Sequence, residues 1–174
     1  MSQYVEPEDK STMSMIGNFL QLSSDELAAL MADPSLVESF IYPEDEEHEK
    51  NIDIDKAWHG IHFLLAGDAW GGELPLANVV LGGTEIGDDV GYGPAKYLTA
   101  DQVKIAADAL MEITAEVLRS RYVASALSEN EIYPEIWQDS DNNALEYLST
   151  WFETLRDYYL DAAAKGNAML KYLN

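Results

Sequence analysis

The segment Asp53–Gly67, Asp-Ile-Asp-Lys-Ala-Trp-His-Gly-Ile-His-Phe-Leu-Leu-Ala-Gly, constrains the fold more than any other part of the chain. Asp53 or Asp55 is suited to capping a helix start. Lys56, Trp58, Ile61, His62 and Leu65 run along it, and Gly67 is a natural residue to close it. The spacing predicts a short helix with Trp58 and His62, at i and i+4, on one face. A glycine-rich run from Leu81 to Pro94 follows shortly, with acidic and polar residues placed to close over that face. Aromatic, imidazole, carboxylate and flexible backbone groups converge here better than anywhere else in the sequence.

Around this centre the pattern alternates between strands and helices. Residues 1–12 are polar and acidic and read as a loose arm. Ser14–Leu22 reads as a buried strand. Ser23 with Asp25 and Glu26 opens a helix, Asp33-Pro34 interrupts it, and Ser35–Tyr42 resumes it. The charged run Pro43–Lys50 reads as a surface loop. Pro75–Leu81 fits a helical turn or a strand equally. Gly82–Pro94 reads as a long loop, or as a loop with a strand near its end, and Lys96–Leu98 as a short strand. Thr99 and Gln102 make a capping box for a helix through Leu118. Asn130–Pro134 breaks the chain, and Leu145, Leu148, Phe152, Leu155, Tyr158 and Tyr159 then form the core stripe of a final helix. Lys165-Gly166-Asn167 ends that helix, and Ala168–Leu173 reads as a last strand. The pattern predicts a helix-rich α/β or α+β fold in a single domain over residues 13–174.

Charge and composition narrow the function classes. Ten basic against 32 acidic residues give a formal charge of −22. Such a surface repels phosphate backbones and anionic lipid, so neither nucleic acid nor membrane is expected as a partner, and a basic protein is. Maintenance of solubility explains the same charge without a partner. No run approaches the roughly 20 apolar residues that span a bilayer, and the N-terminus lacks the pattern of a secretory signal. The chain has no cysteine, which removes disulfides, thiolate metal sites and cysteine nucleophiles. A cytoplasmic protein is the expectation.

The candidate chemistry is sparse. Trp58 and His62 together make either a ligand-binding or acid–base site, or a core histidine packed on an indole, and the packed core is favoured. His59 and His62 are three apart, but His59 is expected to point away from the Trp58–His62 line, so no metal site and no cofactor are expected. The glycine-rich run matches no phosphate-binding motif. It is read as a structural wrap in which Asp88 caps backbone amides, or as a gating loop in which Asp88 and Tyr92 reach into a pocket. Tyr133-Pro134-Glu135-Ile136-Trp137 offers Tyr133 and Trp137 as a partner-binding turn, with packing onto the domain the commoner use of such a loop.

Several of these segments carry a resemblance. Met13–Phe19, the Asp53–Trp58 run with His62 and Gly67, the Leu81–Pro94 run, Tyr133-Pro134 and the Lys165–Asn167 ending resemble the YfbM-like family of uncharacterised bacterial proteins, over nearly the whole chain after the first dozen residues. The resemblance implies an α/β domain of about this length with a mixed sheet and packed helices. The family is a domain of unknown function, and it transfers no catalytic set to this chain. The acidic Pro43–Lys50 insertion and the leading arm look peculiar to this member.

Two readings follow from the sequence. The first is a non-catalytic binding or regulatory protein, of the kind that neutralises a basic partner as immunity proteins do. The second is a small-molecule enzyme or ligand sensor with a pocket formed by Trp58, His62, Asp88 and Tyr92, His62 acting as acid or base and Asp88 orienting it. Substrate and oligomeric state leave no mark in the sequence.

Overall fold

A computed structural model describes residues 14–44, 51–137 and 143–174. The expected N-terminal arm, and all but the start of the charged run at 43–50, lie outside the described residues.

One five-stranded sheet organises the chain: β1 (Gly17–Leu22), β2 (Ile52–Asp53), β3 (Thr84–Asp89), β4 (Pro94–Leu98) and β5 (Ala168–Leu173). Its order is β2-β1-β5-β4-β3. Every neighbouring pair runs antiparallel, so the mixed sheet implied by the resemblance is corrected to an antiparallel one. The reason is local at one edge, because the short turn between β3 and β4 can only return the chain antiparallel.

Helices cover both faces. On one side lie α3 (Trp58–Ala66), α4 (Ala100–Met111) and the long α7 (Asn143–Ala164), in a core with Phe19, Leu98 and Met169 of the sheet. On the other lie α1 (Ser24–Ala32) and α2 (Val37–Ile41), over Leu20, Leu22, Ile86, Ala95, Leu170 and Tyr172. The strict alternation along each strand sends Phe19 and Met169 to one core and their neighbours to the other. Two shorter helices, α5 (Ala115–Ser120) and α6 (Ala124–Glu129), complete the first layer.

The capping signals act as their chemistry requires. Ser23 and Thr99 each accept from the third residue of their helix, whose Glu26 or Gln102 side chain answers back to the cap amide. The helix expected through Leu118 instead stops at Met111 and restarts behind a second cap, Thr114, whose hydroxyl accepts from Val117 N. Arg156 of α7 donates to Leu110 O and Met111 O, stabilising that early end. Pro75–Leu81 contains a 3-10 turn over Leu76–Asn78.

The glycine-rich run is the main departure. Thr84–Asp89 is an edge strand rather than loop, and only Ile86 of it is buried. Its turn is held by Asp89, not Asp88: the Asp89 carboxylate accepts from the amides of Gly91 and Gly93.

β1 crosses α3 at one tight point. A Cβ on Gly17 would stand 2.7 Å from Trp58 Cβ, which is too close to the helix backbone to be relieved by a rotamer change. Gly17→Ala is expected to destabilise the protein by about 1–3 kcal/mol through overpacking. Urea unfolding checks this, and an unchanged midpoint would show that β1 and α3 can move apart without penalty.

Candidate functional site

α3 enters from a 3-10 turn over Asp55–Ala57 and closes at Gly67, which has φ 79°. Of its nine residues only Phe63 is not buried. Trp58, His59 and His62 therefore have no water to satisfy them and must bond to whatever packs on the helix.

His59 joins two loops. Its Nδ1 accepts from the Tyr133 amide at 2.8 Å, which leaves Nε2–H to donate to Ala69 O at 2.9 Å. His62 Nε2–H donates to Gly71 O at 2.9 Å, while its Nδ1 is buried without a partner. The Trp58 indole donates to Met15 O, and Met15 N donates to the Tyr133 hydroxyl. Asp68 closes the 68–73 loop by accepting from Trp70 N and Gly71 N, bonds that hold its carboxyl below the usual range. Three side chains thus fix two loops and the approach to β1.

What the loops present is a cleft of about 1150 Å³. Trp70, Tyr92, Tyr133 and Tyr147 supply its aromatic surface, and Asp55, Glu131 and Glu135 its carboxylates, against Lys56 and His59. Trp70 is 65% exposed although its ring lies 4.3 Å from that of His59. The Tyr147 hydroxyl donates to Asp55 at 2.6 Å; burial, then this bond, raises its pKa. Asp55, Glu131 and Glu135 are also the non-glycine residues with positive φ among those described, at 52°, 53° and 64°. Each such conformation costs about 1 kcal/mol outside glycine. A smaller cleft of about 360 Å³ adjoins it through Trp70 and Tyr92, and Lys96 and Lys171 line that one.

The residues singled out in the sequence fall differently. Tyr92 lines both clefts and is 39% exposed. Trp58 and His62 are buried and line neither, and Asp88 is exposed on β3 outside both. The imidazole stacked on Trp58 is that of His59, at 5.0 Å, not that of His62. His59 was expected to point away; the Tyr133 amide and the Ala69 carbonyl hold it in place. Tyr133 lines the large cleft. Trp137 does not face outward: it is fully buried, its indole donates to Ile132 O, and its ring packs against Gly60 of α3. Asp55 was singled out as a helix cap and as a carboxylate four residues before His59, while sequence reasoning missed Trp70, Tyr147, Glu131 and Glu135. The signal for Trp70 was an aromatic residue in a glycine-bearing loop and for Glu135 an acid beside a proline; Tyr147 sits on the helix that reads as core and had none. Among the described residues no group of three His, Asp or Glu could hold a metal ion, and no helix is long and apolar enough to cross a membrane.

The architecture defines a class before it defines an activity. Residues 13–172 match the model described as a domain of unknown function, DUF1877, and the chain belongs to that family. Among solved structures it is similar to the crystal structure of YfbM from Escherichia coli, a protein of unknown function. The two are 23% identical, with a TM-score of 0.73 over 91% of this chain and 99% of that one, a likeness of fold. No curated protein matches the chain.

Both imidazoles are held neutral. Burial is the main cause, taking His62 down to about 4 and lowering His59 as well. A histidine whose folded pKa lies below its unfolded value of 6.5 stabilises the fold fully above 6.5 and loses that contribution as pH falls toward 4. For His62 the loss is at most about 3 kcal/mol. Urea midpoints should therefore fall between pH 6.5 and 4, and less steeply in His62→Gln. Equal slopes in the two proteins would show that His62 does not carry the acid sensitivity.

Proposed function

We propose that this is a cytoplasmic, non-catalytic binding protein whose large cleft receives a basic segment of a protein partner. One observation carries the reading: among the described residues, an exposed tryptophan and three further aromatic rings share one cleft with three carboxylates and a single lysine. Aromatic faces attract ammonium and guanidinium groups, by about 0.5–1 kcal/mol each at exposed sites. Carboxylates at the rim add attraction of the same sign. The volume supports an extended segment, since pockets for small molecules usually hold about 300–1,000 Å³ and this cleft exceeds that.

The overall charge of −22 acts on the encounter rather than on the bound state. It steers a basic chain toward the surface and makes association salt-dependent. Neutralising a basic partner, as an immunity protein does, is one use of such a cleft. The small-molecule reading that needs Trp58, His62, Asp88 and Tyr92 around one pocket gains no support from their placement, because Tyr92 alone faces the clefts.

Titration of the full chain with a lysine- and arginine-rich peptide, followed by calorimetry, tests the proposal. Binding in the micromolar range at low salt is expected, weakening as ionic strength rises. Trp70→Ala should weaken it about twofold to fivefold, and Glu131→Gln with Glu135→Gln by a similar factor. Binding that is unchanged in both variants would place the peptide elsewhere, and no binding at low salt would reject the reading.

A further inference from the structure

The smaller cleft has its own chemistry. Glu85, Lys96, Lys171 and Phe19 stand opposite one another across β3, β4, β5 and β1, which puts two lysines directly side by side on one face of the sheet. Like charges in that position are unfavourable. Both lysines reach the same turn. Lys96 Nζ donates to Leu81 O at 2.7 Å, and Lys171 Nζ donates to Asn78 O and Gly82 O.

Lys171 differs from its neighbour in burial. It is 4% exposed and lies at the wall of the 360 Å³ cleft. No carboxylate of a described residue is in ion-pair contact with it. An ammonium has three protons to place, and the hydrogen bonds of the described residues give this one two acceptors. A neutral amine meets both carbonyls with its two N–H groups and keeps a lone pair free. The groups around it favour that form. Lys96 on β4 is a second cation, His62 on α3 is neutral, and Glu85 stands beyond Lys96 on the edge strand. The turn contributes carbonyls, and the Tyr159 hydroxyl of α7 is spent on Val79 O. Burial, helped by Lys96, holds the Lys171 amine well below the ordinary lysine range.

We propose that Lys171 is a nucleophilic amine that captures a small aldehyde or ketone in this cleft as an imine. The Nζ lone pair forms a bond to the carbonyl carbon, both N–H protons pass in turn to the carbonyl oxygen, and that oxygen leaves as water as the C=N bond forms. No oxidant or reductant is consumed, and hydrolysis reverses the step. Desolvation and a neighbouring cation are the two means by which a lysine is made nucleophilic near neutral pH. The cleft admits a molecule of a few carbon atoms, flanked by Trp70 and Tyr92.

Acetaldehyde with cyanoborohydride, followed by peptide mapping of the folded full chain, tests this. Lys104 and Lys165, both well exposed, are internal controls. At pH 7 an ordinary lysine is amine to less than about 0.1%, and its amine fraction rises about tenfold per pH unit. Lys171 is expected to be alkylated at least tenfold faster than the controls at pH 7. Its rate should rise less between pH 7 and 9 than the rates of the exposed lysines. In Lys96→Met, Lys171 should slow at pH 7 and regain pH dependence. Labelling of Lys104 and Lys165 with Lys171 untouched, or a Lys171 rate that climbs with pH as theirs does, overturns the proposal. Either pattern would make Lys171 a structural donor to the turn.

Discussion

A helix buried on every side cannot leave its polar atoms to solvent, and that constraint governs this molecule. α3 brings one indole N–H and two imidazoles into the core, each of which needs a partner from outside the helix. The partners are backbone groups of Met15, Ala69, Gly71 and Tyr133. These lie in three separate segments that the hydrophobic effect alone would leave loosely placed. A single unmet buried polar group costs about 1–3 kcal/mol, so each of these bonds favours the observed placement of its loop. The aromatic cleft is a consequence: Trp70 is exposed because the residues on either side of it are bonded inward to His59 and His62.

The cations follow the same logic. Lys96, Lys171, Arg121 and Arg156 donate to backbone carbonyls at the ends of turns and helices. The ion pairs found among the described residues, Lys104–Asp108, Arg119–Glu146 and Lys165–Asp161, lie at the surface, where such pairs contribute little. With ten basic residues against 32 acids, the cations used on carbonyls leave few to pair with surface carboxylates.

Much of the fold was legible because its signals are local. Ser23 with Glu26 and Thr99 with Gln102 are complete capping boxes within four residues, and the stripe of α7 from Leu145 to Tyr159 repeats over about four turns. β3 was not legible, because an edge strand that buries one residue has no hydrophobic alternation to show. Two tryptophans in glycine- or proline-bearing loops illustrate the limit for the site. Trp137 turns under its loop to meet Gly60 and Leu148, while Trp70 stands out over His59. Nothing within either loop distinguishes them; the difference lies in what α3 and α7 place beneath. The same holds for His59, whose role depends on a loop 74 residues away.

The backbone at the large cleft argues that its carboxylates serve something other than the fold. Asp55, Glu131 and Glu135 occupy left-handed conformations that glycine would adopt at no steric cost. For Asp55 a local reason exists, since aspartate tolerates this region and Tyr147 anchors its side chain. Glu131 and Glu135 have neither reason: glutamate is not favoured there, and no buried partner among the described residues holds them. A chain shaped only for stability would carry glycine or asparagine at both positions. Charge at these strained sites, on either side of Tyr133 and beside the same aromatic wall, supports the proposed role of the cleft, in which the carboxylates contribute when a cation lies against them.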